Sequence, residues 1–195
     1  MPRRNLDRGA VVSAAAELAD RDGFEVLSVS ALARHLDVQP ASLYSHVRNL
    51  ADLQAGVHQL ALASLTDTIG TEVAGCSGRD ALNGMVGGYR QFEQEHPGLW
   101  AALQRPASEE TARSAGAVRL TTLTAAVLRG YGIVGDEMVH ATRFLGATVN
   151  GFLSLQRHGG FAHRPADQQT SWLRTVDALD TALRAWPTTI EGPRS

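Results

Sequence analysis

Residues able to do chemistry are spread thinly along this chain, except in one short stretch. The seven histidines (His35, His46, His58, His96, His140, His158, His163) contain no HExxH and no i, i+4 pair, and Cys76 is the single cysteine. Neither a helix-borne nor a Cys-rich zinc site can be assembled from them. Glu93/Glu95 and Glu109/Glu110 read as solvated acids or a helix N-terminus. MVGGY and RHGGF are glycine-rich, but no strand pattern precedes them to open a nucleotide-binding unit. No catalytic residue, metal site or cofactor is expected, and the chain is not expected to be an enzyme. The stretch that stands out is Pro40 to Arg48, where Ser42, Tyr44, Ser45, His46 and Arg48 follow closely. Hydroxyls, an imidazole and a guanidinium so grouped suit phosphate oxygens and base edges.

The elements that must position these groups lie between Ser28 and Leu50. Val29, Leu32, Ala33 and Leu36 recur at helical spacing behind Ser28, an N-cap residue. Asp37-Val38-Gln39 interrupts the pattern, and Pro40 suits the first turn of a second helix, where its missing N–H costs nothing. In that helix, of about two turns, Leu43 and Val47 face inward and the polar residues face out. Helix, tight turn and short exposed helix form the plan of a helix-turn-helix, whose second helix enters the DNA major groove.

HLDVQPASLYSHVRNLADL resembles the helix-turn-helix of TetR-type (TetR/AcrR-like) bacterial transcriptional regulators, with LYSHV at the family's distance from the turn. Asp37 stands where the turn glycine is usual, and Leu50 where a lysine is usual. YRQFEQEHPGLWAAL resembles the "aromatic…His-Pro" region of the family's ligand domain. FLGATVNGFLSLQRHGGF resembles its later Trp-x-x-x-His-Gly (WHG-type) segment, with Asn150 for the usual His and Phe144 near the Trp. The resemblance implies a ligand-responsive regulator, a repressor released from a palindromic double-stranded DNA operator by a small apolar or amphipathic effector.

Site residues follow from these readings. For DNA they are Ser28, Ser30, Arg34, Gln39, Pro40, Ala41, Ser42, Tyr44, Ser45, His46 and Arg48. Tyr44 and His46 bond phosphates or base edges, Pro40 and Ala41 touch thymine methyls, and Arg48 neutralises a phosphate. Packing against the helix-turn-helix is the alternative for Tyr44, and a solvated face the alternative for Arg34. For the effector they are Met85, Tyr89, Phe92, Trp100, Leu103, Leu123, Phe144 and Asn150, which either line an apolar pocket or form a core.

Composition by itself does not point to nucleic acid. The net charge is −2, all 18 basic residues are arginine, and residues 1–60 hold six arginines against seven acids. Arg3, Arg4 and Arg8 do gather in or near an N-terminal arm, and a local patch needs no basic pI. No apolar run is long enough for a membrane span, and MPRRNLDRG lacks the apolar segment of a secretory signal. One cysteine fits a reducing compartment, so a cytoplasmic protein is expected.

The chain reads as all-α: an N-terminal three-helix head with the helix-turn-helix (1–48), a linking helix (49–70), and a helical ligand-binding and dimerisation body (80–187). A tail at 188–195 is expected to be disordered. The first helix covers 7–22 and stops at Gly23, with Phe24 and Leu27 closing the head. GTEVAGCSGR (70–79) is expected to be a loop. One amphipathic run is expected at about 108–130, carrying Val118, Leu120, Leu123, Val127 and Leu128. The helix at about 136–157 is apolar on more than one face. The last helix, about 166–186, is expected to bury Trp172, Leu173, Val176, Leu179, Leu183 and Trp186. These two helices are the expected homodimer interface, with a larger single-subunit core as the alternative. A small-molecule sequestering protein with a weakened DNA head is kept open by Ser30, Asp37 and Leu50.

Overall fold

The computed structural model describes residues 6–163 and 166–187, so Arg3, Arg4 and the tail at 188–195 lie outside it. Among the described residues the regular structure is helical throughout. The helices are α1 (Arg8–Asp22), α2 (Val29–His35), α3 (Pro40–Leu43), α4 (Leu50–Val73), α5 (Gly78–Glu95), α6 (Pro97–Leu103), α7 (Glu109–Ala112), α8 (Ala115–Arg129), α9 (Glu137–Arg157) and α10 (Gln168–Arg184), with a 3-10 turn at Phe24–Val26.

Contacts group the chain into two compact units. The first joins residues 1–67 with 91–120, and the second joins 68–90 with 121–195. Residues 91–120 thus group with the N-terminal head.

In the first unit α1 starts on Asp7, whose carboxylate accepts the Ala10 N–H at 2.7 Å, and buries Val11, Ala14, Ala15 and Leu18 as its spacing predicts. It ends as expected at Gly23, where Phe24 and Leu27 turn into the core. Asp20, near the end of α1, holds α6. Its Oδ1 accepts the N–H groups of Gly98 (2.8 Å) and Leu99 (2.9 Å), and its Oδ2 lies 2.9 Å from His96 Nδ1. One carboxylate thus satisfies N–H groups that the α6 N-terminus leaves open. The approach is so close that a Cβ on Gly98 would stand 2.1 Å from the Ala19 carbonyl.

Several sequence boundaries move. α4 continues to Val73, leaving only residues 74–77 between it and α5. Tertiary packing overrides the glycine signal there: in the second unit α5 lies so close that a Cβ on Gly84 would be 2.5 Å from the Glu72 carbonyl oxygen. The run expected at 108–130 is two helices, because Ser108 and Ser114 each cap a separate start, accepting from Thr111 and Ala117 respectively. Val118 is exposed rather than on a buried stripe.

In the second unit α9 buries a single i, i+4 row, Ala141, Leu145, Val149 and Leu153. Val139 and Leu155 stay exposed. α10 buries Trp172, Val176, Leu179 and Leu183, but Leu173 is 53% exposed and Trp186 half-buried. Trp172 meets the Phe152 ring edge-on at 5.1 Å, and Arg90 stacks over its indole at 5.2 Å. Leu173 lies one residue away and points off that face, which is why the periodicity overcounted the buried set.

Candidate nucleic-acid interface

Ser28 caps α2, its Oγ accepting the Ala31 N–H at 3.1 Å, and Val29, Leu32 and Ala33 are buried below it. The turn that follows is sharp. Asp37 has φ 55°, the one left-handed non-glycine residue among those described, so it takes the conformation a glycine would take. Pro40 sits at the first position of α3.

α3 is shorter than its sequence suggests. It makes one turn, Pro40–Leu43, and the chain then tightens through Tyr44–His46, with the His46 N–H donating to Leu43 O at 2.9 Å. Ser45 contributes by donating its hydroxyl to the Ser42 carbonyl at 2.7 Å, a back-bond that competes with helix propagation. Leu43 and Val47 are 0% and 1% exposed, while Ser42, Tyr44, Ser45 and Arg48 face solvent and His46 is half-buried. Tyr44, at 56% exposure, is not a packing residue of the head. Ser30, Arg34, Gln39, Pro40 and Ala41 are also exposed, and Ser28 is half-buried.

Part of this set converges. Tyr44, Ser45, His46 and Arg48 line an open depression of about 290 Å³ together with Arg8, Asp52 and Glu110. Ser28, Ser30, Arg34 and residues 39–42 lie outside that depression. Asp52 is its organising residue. It accepts from both Arg8 guanidinium nitrogens (3.0 and 2.9 Å), from the Arg48 backbone N–H (2.8 Å) and from the Arg48 guanidinium (3.3 Å). Its own N–H donates to Asn49 Oδ1 at 2.9 Å, so Asn49 caps α4 and Asp52 reaches back across the cap. Bonded chiefly to Arg8, then to the Arg48 backbone, the buried Asp52 carboxyl sits well below the usual carboxylate range. Arg8 also donates to the His46 carbonyl at 3.2 Å, fixing the end of the recognition turn.

Sequence reasoning placed Arg8 near the arm and missed Asp52 altogether. Asn49-x-x-Asp52 was readable as a capping pattern, but its two arginine partners were not. Arg48 is less free than expected, though its side chain remains 79% exposed. Two cations face Asp52 and Glu110, so the depression offers hydrogen-bond donors more than excess charge. Among the described residues no group of three or more His, Cys, Asp or Glu could hold a metal ion, and no helix is long and apolar enough to cross a membrane.

The eight expected effector residues divide between the units. Phe92, Trp100 and Leu103 fall in the first, and Met85, Tyr89, Leu123, Phe144 and Asn150 in the second. Met85, Phe92 and Trp100 are buried. Burial pushes the Tyr89 phenol up to about 12. Phe144 stacks against Trp186 at 5.5 Å, and Asn150 donates its amide to the Gly146 carbonyl of its own helix at 2.8 Å.

The arrangement has counterparts among known proteins. Residues 11–53 match the profile of "Bacterial regulatory proteins, tetR family", and residues 82–179 that of "Tetracyclin repressor-like, C-terminal domain". The chain belongs to the TetR family. The uncharacterized HTH-type transcriptional regulator Rv0681 of Mycobacterium tuberculosis is 31% identical over 159 residues, covering 79% of this chain and 72% of the relative. Two solved TetR-fold structures illustrate the shared architecture. BioQ with its natural double-stranded DNA operator has a TM-score of 0.70 at 22% identity, covering 93% of this chain and 99% of that one. Streptomyces coelicolor ActR in complex with (S)-DNPA has 0.69 at 18%, covering 92% and 98%. The TetR family comprises transcriptional regulators rather than enzymes. This member is accordingly a DNA-binding transcriptional regulator whose helix-turn-helix runs through α2 and α3.

Proposed function

We propose that this TetR-family protein is a repressor that grips a palindromic operator as a homodimer and leaves it when a small apolar or amphipathic effector enters the body. The exposed element at 40–46 carries the DNA-binding part of this reading. One helical turn has no stability of its own, yet the head pins it through buried Leu43 and Val47 and leaves Ser42, Tyr44 and Ser45 facing outward. The weakened-head alternative loses support because Asp37 adopts the left-handed turn that a glycine would adopt.

One such element reads few base pairs, and two-fold pairing doubles the site. The exposed Val139, Ala147, Gly151 and Leu155 of α9 support pairing through that helix and α10. Cβ atoms built on Gly146 and Gly151 meet nothing within 4 Å, which leaves room for another helix. The effector is assigned to the second unit, to which Met85, Tyr89, Leu123, Phe144 and Asn150 belong. It acts only through its preference for a DNA-incompetent arrangement of the two heads, so it need not touch them.

The test is a gel shift on DNA flanking the protein's own gene and on sites recovered by random selection, at two salt concentrations with competitor DNA. A selective, salt-sensitive shift on an inverted repeat is expected. A Tyr44→Ala, His46→Ala double variant, folded like the parent, should lose it; unchanged binding by that variant refutes the assignment.

A further inference from the structure

The first unit holds a cavity of about 220 Å³ that none of these roles uses. Gln54, Ala55 and His58 of α4 form one wall, and Phe24, Ala102 and Pro106 border the same space. At roughly 30 Å³ per water it equals about seven waters. That suits a single ring and falls short of drug-sized pockets, which begin near 300 Å³.

His58 distinguishes this space from a packing defect. Its side chain lines the cavity, the residue is 8% exposed, and its imidazole has no hydrogen-bond partner among the described residues. Its ring nitrogens are not sealed in protein but open onto the cavity, where water or a ligand must meet them. Burial holds His58 below the ordinary imidazole range, so at pH 7 the ring is neutral and offers one donor and one acceptor. Gln54, one turn earlier on the same face, is also unpartnered among the described residues. The remaining polar groups are already engaged. Ser108 donates to Thr111 Oγ1 at 3.0 Å and accepts the Thr111 N–H at 3.1 Å, and Arg105 pairs with Glu25.

We propose that this cavity binds a small uncharged ring carrying a hydroxyl, of the phenol class, with the hydroxyl donating to His58 and the ring against Phe24, Ala102 and Pro106. An anion would find the one lining cation, Arg105, already paired. A plain hydrocarbon would leave His58 and Gln54 unsatisfied. The site shares no residue with the DNA-facing set or with the body's effector set, and it rests on neither assignment.

Full-length protein carrying labelled histidine is titrated with p-cresol, toluene and benzoate, and the ring resonances of His58 are followed by NMR, assigned through His58→Gln. Saturable shifts of the His58 ring are expected with p-cresol. Toluene should bind about fivefold more weakly for want of one hydrogen bond, and benzoate no better than toluene. Followed by isothermal calorimetry, His58→Phe should weaken p-cresol binding about fivefold, to the level of toluene, while His58→Gln, which keeps a hydrogen-bonding side chain, retains it within about twofold. The wild-type titration stands by itself should His58→Phe not fold. Absence of a saturable His58 shift with p-cresol, tighter binding of benzoate, or unchanged binding in a folded His58→Phe protein overturns the proposal.

Discussion

The guanidinium of Arg8 and the carboxylate of Asp52 meet through two hydrogen bonds, 3.0 and 2.9 Å, across 44 residues of sequence. This joins the first residue of α1 to the start of α4 and clasps the recognition turn between them, since Arg8 also reaches the His46 carbonyl. Both guanidiniums that approach Asp52 are solvent-exposed, at 47% and 79%, whereas its own side chain is 7% exposed. The carboxylate is therefore the buried member, and its loss removes four charge-assisted hydrogen bonds at once.

Asp52→Asn should destabilise the protein by about 2 kcal/mol at pH 7, read by urea unfolding. The pH dependence has a definite sign. Asp52 titrates lower when folded than the usual unfolded value of about 3.9. Its contribution is present above that value and is lost as pH falls through the folded one. Wild-type stability should therefore drop below about pH 4 more steeply than that of Asp52→Asn. Parallel acid profiles for the two proteins would contradict this account.

Gly98→Ala should cost about 3 kcal/mol, at the upper end for overpacking, because the new methyl would collide with α1 backbone rather than with a movable side chain. The built Cβ lies 2.1 Å from both the carbon and the oxygen of the Ala19 carbonyl. Chemical denaturation measures the loss. A cost below about 1 kcal/mol would mean that α6 can slide away from α1 without penalty.

Asp37→Gly should raise stability by about 0.5 kcal/mol, the relief of left-handed strain outweighing the extra freedom of glycine in the unfolded chain. Asp37 is exposed and among the described residues makes no hydrogen bond or ion pair through its side chain. A melting temperature that rises by about one to two degrees agrees with this, and a fall would show that the turn prefers a side chain.

Val139→Arg with Leu155→Arg should yield a folded monomer if α9 joins two copies as proposed. Both positions are at least half exposed, so helicity by circular dichroism should be unchanged while light scattering reports half the mass. A double variant that stays dimeric would move the interface elsewhere.

The sequence by itself determined what short-range rules control. Apolar spacing gave α1, α2, α9 and α10 to within a few residues. Ser28, Pro40 and Gly23 marked helix ends, and Leu43 with Val47 identified the inner face of the recognition element. Those signals act over one or two turns and are written in adjacent residues. Tertiary structure decided the rest. Asp52 gathers Arg8 and Arg48, Asp20 caps a helix 78 residues further on, and α9 keeps one apolar row buried and leaves Val139 and Leu155 outside. The end of α4 depends on how α5 lies against it, and the isolation of His58 on residues 24 and 102–111 folding around it. Hydrophobic periodicity states that a face will be covered; which element covers it, and which polar group is left unpaired, is fixed only when distant segments pack.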